Sequence, residues 1–344
     1  MTRFAAIDLS SYPIEDVLEV LDFETYLATD KADFLARWDA LRVARPELPI
    51  IDAAALDIET NTVNVTLQTG AARYMLALGR YNDRVRQATL AGALGRALDH
   101  IGVTYYRTPR LLVTPADPLS GTEAVWEEDE VYRQRLALSP EGWSTCGPEG
   151  AYLFWGLSAS GDILDLAVYS EEDGLGPIAP EIRVAVLPRN TDGPAPAALL
   201  EAVRTKLSAR DIRPLGDCVT VLPAVPSYFN VHLTLRHAPG AAPEVLRAAA
   251  EAKVRAYTSG IRRWIGGDTE GPVWLVGRRI RQDTIAAAGM VPGVIEVVVD
   301  QPAGDVNAPD LLAAPGTPAA TAHLFRAPRV GTITVETEIM TGWM

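Results

Sequence analysis

The chain reads as an α+β protein: a helical N-terminal region, then two small α/β sandwiches of ferredoxin-like order, then a C-terminal arm. Three observations predict this. Apolar residues recur at helical spacing in the front of the chain, strands alternate with single helices from Ile163 to Val299, and Pro- and Gly-rich stretches interrupt both patterns at 105–122 and 301–329.

In order, Ile14, Val17, Leu18 and Leu21 make a helical stripe behind the first-turn residue Pro13; Phe34, Leu35, Trp38 and Leu41 make a second, ended by Pro46. Leu78, Tyr81, Val85, Leu90, Leu94, Leu98 and Ile101 then trace one helix of roughly thirty residues closed by Gly102. The helical region is thus 1–104. Pro109, Pro115, Pro118 and Gly121 make 105–122 a connector, with one strand at Leu111–Val113.

A first α/β domain spans 123–225, with strands at Ile163–Tyr169, Ile182–Leu187 and Asp217–Leu222, a turn at Gly174–Pro177 and a helix at Ala195–Ala209. A second spans 226–300: strand Tyr228–Arg236, helices Pro243–Ile261 and Val273–Ala288, strand Val294–Val299. Val231, Leu233 and Leu235 alternate with more polar neighbours, as one buried sheet face requires. Residues 301–344 form an extended arm broken by Pro302, Pro309, Pro315, Gly316 and Pro318, with a terminal strand at Gly331–Met340 that can join its own sheet or a neighbour's edge.

The 344 residues, 48% hydrophobic and 22% charged, suffice for a sizeable core divided among two or three domains. No apolar run approaches the ~20 residues that span a bilayer, and Met1–Ser11 lacks the pattern of a signal peptide, so membrane insertion is not expected. A formal charge of −13 weighs against nucleic acid as the main partner. That charge is uneven: residues 1–60 hold thirteen acids against five bases, and 61–115 hold seven arginines against Asp83 and Asp99. Two such regions pair with each other, face complementary neighbours, or are solvated helix faces.

The stretch Glu127–Ile163 joins an acidic helix start carrying Arg133 and Arg135 to a Gly-rich turn around Cys146 and an aromatic helix ending near Gly161. It resembles the central motif of the J-like baseplate proteins of contractile phage tails. The helix end Leu94–Val103 resembles the segment that precedes the motif in that family, and Arg213–Asp217 with Val219 and Val221 resembles its turn from helix into strand. The resemblance covers residues 71–300. It implies a structural wedge subunit in the virion tail, assembled in the host cytoplasm and repeated as a ring around the hub. The implied partners are other copies, the smaller I-like wedge protein, and the hub, spike and sheath-initiator proteins.

Catalytic patterns are missing. There is no G-x-S-x-G, no H-E-x-x-H and no phosphate loop, since no lysine follows Gly266 and Gly267. Cys146, Cys218, His100, His232, His237 and His323 show no metal-ligand spacing, so no metal, cofactor or catalytic residue is expected. Glu127–Glu130 read as acids at the positive end of a helix dipole. Cys146 reads as a turn residue with no base near in sequence, and Asp217 and His232 as a structural hydrogen-bonded pair on adjacent strands. Two other classes stay open: a tail-associated cell-wall hydrolase whose carboxylates meet only on folding, and a cytoplasmic adaptor with ferredoxin-like domains.

The interface candidates are the stripe Leu90, Leu94, Leu98 and Ile101, the arginines Arg133 and Arg135, and Arg262, Arg263, Trp264 and Arg279 from the basic, tryptophan-bearing run Arg255–Arg281. Arginine and tryptophan together favour a protein contact over a nucleic-acid surface in so acidic a chain.

Overall fold

The computed structural model describes residues 14–119, 121–144, 146–173, 181–189, 193–240, 242–258, 275–310, 312–313 and 317–340. The chain divides into two compact units, 12–101 and 102–344.

The first unit is built on two helices, α1 (Phe23–Ala44) and α2 (Thr62–Gln87), which pack on each other. Each starts at a side chain that satisfies an orphan backbone donor: Asp22 accepts from the Glu24 N–H at 3.1 Å and Asn61 from the Val63 N–H at 2.9 Å. The Thr25 hydroxyl also donates to Asp22 and holds its carboxyl below the ordinary value. The expected stripe at Ile14–Leu21 is no full helix; only Ile14–Val17 makes a 3-10 turn, and the second stripe belongs to a single α1.

The long helix expected through Leu78–Ile101 is two helices. α2 stops at Gln87, and α3 (Gly95–Tyr106) starts afresh. Local chemistry accounts for the break. Gly95 has φ +51°, a Cβ at Gly92 would lie 2.8 Å from the Arg86 carbonyl oxygen, and the Gln87 and Thr89 side chains take up the Leu94 and Gly92 N–H groups.

The second unit begins with the end of α3 and a two-stranded ribbon, β1 (Leu112–Thr114) antiparallel to β2 (Val125–Trp126), where one strand was expected. α4 (Asp129–Leu138) and α5 (Glu149–Leu157) follow. β3 (Ile163–Tyr169) runs antiparallel to β4 (Glu181–Pro188); α6 (Ala197–Leu207) then leads to β5 (Cys218–Pro223), parallel to β4. Tyr152, Leu153, Leu166, Val184, Val203 and Leu207 form the core under this sheet. The turn expected at Gly174–Pro177 lies outside the described residues.

The second sheet has β6 (Val225–His237) at its centre. After α7 (Pro243–Thr258) and α8 (Gln282–Gly289), β7 (Val294–Gln301) pairs antiparallel on one side, and the terminal strand β8 (Arg326–Ile339) pairs parallel on the other. The terminal strand therefore completes its own chain's sheet. Val231, Leu233 and Leu235 are buried against Leu246, Ala250, Val254 and Ile285, as their alternation predicts. Both sheets have three strands among the described residues, where a full ferredoxin-like order supplies four.

The first sheet is covered on both faces. Ala167, Tyr169, Ala185 and Leu187 meet Ala224, Leu275, Val276 and Ala327 in a cluster that joins the two sheets. The C-terminal arm is held at Asn307, whose side-chain amide donates to the carbonyls of Arg278 and His323, each at 2.9 Å. No helix of the described residues is long and apolar enough to cross a membrane.

Tyr152 and Asp217 offer a test of the first core. The Tyr152 hydroxyl donates to Asp217 Oδ2 at 2.5 Å, and burial, followed by this bond, pushes its pKa well up. A raised folded pKa means the neutral form is favoured, so the contribution is complete below the unfolded value of about 10 and is lost as pH climbs beyond it. Tyr152→Phe is expected to lower stability by about 1 kcal/mol at neutral pH and to flatten the decline above pH ~10. Urea melts of both proteins at pH 7 and 10.5 check this, and parallel declines would refute it.

Candidate assembly surfaces

The helical unit covers little of its own apolar surface. The 22-residue α1 buries Leu27 alone, and the 26-residue α2 buries Ala71, Asn64 and Asn82. Val65, Tyr74, Leu76 and Tyr81 stand exposed on α2, and Leu41 and Val43 on α1. Val65 and Leu76, eleven residues apart, return to one helix face, and Tyr74 and Tyr81, seven apart, to another. Such helices draw most of their stability from packing, so faces like these are suited to another chain.

The four candidates from the expected long helix do not form one stripe. Leu90 is half-buried and Leu94 exposed in the turn after α2, while Leu98 and Ile101 are buried on α3.

Arg133 and Arg135 lie inside the second unit, 4% exposed. Arg135 grips Glu127 with Nη2 at 2.6 Å and Nε at 3.0 Å, and Nη2 also donates to the Pro109 carbonyl at 2.8 Å. Glu127 accepts in turn from the Leu111 N–H at 3.2 Å. Arg110 bonds Asp129 at 2.7 Å and lies 4.7 Å over the Tyr132 ring, whose hydroxyl donates to the Thr108 carbonyl at 2.6 Å. The dipole reading of Glu127–Glu130 is corrected here for Glu127: it is 6% exposed and neutralised by an arginine two helical turns away. This node fastens the 107–111 segment to α4 and leaves Arg133 and Arg135 little surface to offer a partner. Sequence reasoning missed it because eight-residue spacing carries no pairing signal.

In the basic run, Arg262, Arg263, Trp264 and Trp274 lie outside the described residues. The described arginines are occupied. Arg255 meets Glu251 at 2.7 Å, Arg279 Nε meets Asp305 at 2.8 Å, Arg281 pairs with Asp283, and Arg278 sits 4.8 Å over the Tyr257 ring with its pKa lowered by burial. The Gln282 N–H and Arg279 hold the Asp305 carboxyl below its usual range. Charge there is largely compensated within the chain.

A groove of about 760 Å³ opens where the end of α3 faces α5 and α6. Tyr105, Arg107, Trp143, Phe154, Trp155 and Lys206 line it, with Tyr105 67% and Trp143 62% exposed. The Lys206 ammonium lies 4.7 Å over the Trp155 ring, and the Trp155 indole N–H donates to the Gly142 carbonyl at 3.2 Å. The density of aromatics between Trp143 and Trp155 was the only sequence signal of this groove.

The structure gives the suspected Asp217 and His232 different partners: Asp217 binds Tyr152, and His232 Nδ1 lies 2.9 Å from Asp300. Cys146 and Cys218 are both free and exposed. Among the described residues no group of three His, Cys, Asp or Glu side chains converges as a metal site.

Comparison with known proteins converges on one family. Residues 59–117 match the baseplate J-like N-terminal domain, and residues 144–223 match the baseplate J-like central domain, which here holds α5, the first sheet and α6. The chain is also 35% identical over 302 residues to baseplate protein J of Escherichia phage P2, a match spanning 87% of this chain and 92% of that protein.

Proposed function

This chain belongs to the baseplate J-like family, and on that premise we propose that it is a wedge subunit of a contractile phage tail or a related injection particle. Its role in the phage baseplate is structural. In this reading, copies of the sheet-bearing unit repeat as a ring around the hub and spike, next to the sheath initiator and the outer wedge and fibre proteins. The helical unit bundles with another copy and with the I-like wedge protein. The role is mechanical, and no residue is assigned a catalytic part.

The observation that supports this reading most is the exposed apolar surface of α1 and α2, which would find its cover in a bundle with other chains. The double variant Val65→Asp/Leu76→Asp changes only exposed positions. It is expected to keep the fold, shown by an unchanged circular dichroism melt, and to drop tail-particle yield by at least about tenfold, because charged residues cannot enter an apolar bundle seam. Particles formed at the parental yield would overturn the bundle. A charge at Leu98 would not serve, because its burial would confound assembly with folding.

A further inference from the structure

The groove carries an unusual residue on its rim. Arg107 follows the last residue of α3 with φ +51°, and the Thr108 N–H closes the cap on the Gly102 carbonyl at 2.9 Å. That left-handed cap position is ordinarily glycine, because a Cβ there crowds the backbone. A position that suits glycine carries instead a long cation, held in a strained conformation beside an aromatic groove. Non-glycine residues kept in such conformations concentrate at ligand clamps.

Two cations at this groove have no carboxylate partner among the described residues. The Arg107 guanidinium is exposed and forms no ion pair with them, and the Lys206 ammonium lies over the Trp155 ring. Their neighbours Arg110 and Arg135 are fully engaged by Asp129 and Glu127. A ligand for this surface therefore brings acidic groups for Arg107 and Lys206, and apolar side chains for Tyr105 and Trp143.

One described segment of the chain has that composition. Residues 14–22 read IEDVLEVLD: Glu15, Asp16, Glu19 and Asp22 without a single base. Val17, Val20 and Leu21 are exposed at 65%, 76% and 47%. Its backbone is already fixed, since the Glu19 N–H donates to Asn82 Oδ1 at 3.0 Å and the Asn82 amide donates to the Glu19 carbonyl at 2.8 Å. A pre-ordered ridge loses little entropy on docking. Groove and ridge are different surfaces, so copies joined through them associate head-to-tail, the geometry that closes rings.

We propose that the groove lined by Tyr105, Arg107, Trp143 and Lys206 receives the acidic, apolar segment 14–22 of a second copy of this chain. This rests on the reading of the chain as a repeated baseplate subunit.

The test replaces Trp143 with the photo-crosslinking residue p-benzoylphenylalanine and assembles tail particles from a mixture of ¹⁵N-labelled and unlabelled full-length chains. Irradiation followed by mass spectrometry is expected to give an adduct containing residues 14–22 with mixed isotope labels. Arg107→Glu with Lys206→Glu should lower its yield about tenfold, and Glu15→Lys with Glu19→Lys in the partner copy should restore it. Arg107→Gly separates docking from folding: it should raise the melting temperature by about 2 °C while still reducing the adduct, which a purely capping residue would not do. An adduct to another peptide, an adduct carrying one label only, or a yield indifferent to these charges overturns the groove assignment. Where particles form normally without the adduct, the groove alone is wrong; where the chain enters no particle, the baseplate-subunit reading falls with it.

Discussion

Arg135→Ala is expected to destabilise the 102–344 unit by about 3–5 kcal/mol, because the substitution strands Glu127 as an unpaired buried charge. The two side chains are 4% and 5% exposed and meet at 2.6 and 3.0 Å, so folding takes both charges out of solvent together. The loss extends beyond the pair. The Pro109 carbonyl loses its donor, and the Tyr132 ring loses the guanidinium 5.4 Å from its centre. Against a typical total stability of 5–15 kcal/mol, this is enough to turn much of the expressed protein insoluble. Arg135→Lys recovers little, since an ammonium cannot reproduce the two-pronged grip while also reaching Pro109. Glu127→Leu/Arg135→Met should cost less than Arg135→Ala alone, because no charge is left behind. Urea midpoints of the single and double variants decide the matter: a single-variant midpoint at the parental value would show that water reaches Glu127.

The parts of this architecture legible in the sequence are those governed by local pattern. The strands around Ile163–Tyr169, Ile182–Leu187 and Val294–Val299 fall within one to two residues of expectation, because alternation or a short apolar run bounded by turn residues marks them. The Val231, Leu233, Leu235 face is legible for the same reason.

What escaped depends on geometry that pattern does not encode. The stripe through Leu90 and Leu94 keeps helical spacing across a turn, and only the positive φ of Gly95 and the side-chain bonds of Gln87 and Thr89 stop the helix. β8 alternates clearly, but its choice of β6 in its own chain over a neighbour's edge is a tertiary decision. Glu127 was read by its place at a helix start, where acids are usually solvated; its burial follows from β1, one strand of a ribbon joined across a connector. The groove joins the cap of α3 to residues on α5 and α6, a juxtaposition that only folding creates.

Asp165→Ala is expected to split the unfolding of the 102–344 unit into two steps. Asp165 sits on β3 at a register shift, 1% exposed, and its Oδ2 accepts from the backbone N–H groups of Leu275 at 2.7 Å and Val276 at 2.9 Å. Those donors belong to the segment that enters α8 of the second domain, and no strand ladder could satisfy them there. Hydrogen bonds to a charged acceptor contribute about 1.5–3 kcal/mol each, and the alanine variant leaves both N–H groups buried without an acceptor. Half of the eight buried residues in the apolar cluster that joins the sheets are alanines, so this carboxylate, with the Tyr169 hydroxyl on the Leu324 carbonyl and Arg329 on the Pro188 carbonyl, adds directed bonds to the apolar contact that couples them. Without it the second sheet should melt first, while the first, resting on the Tyr152 and Leu166 core, keeps nearly its parental midpoint. Asp165→Asn retains an oxygen at the same place without the charge and should fall between the two. Denaturation followed by amide exchange, which reports the sheets separately, should show protection lost early in β6 and β7 of the alanine variant. A single cooperative transition at the parental midpoint would mean that the apolar cluster and the other bonds couple the sheets without it.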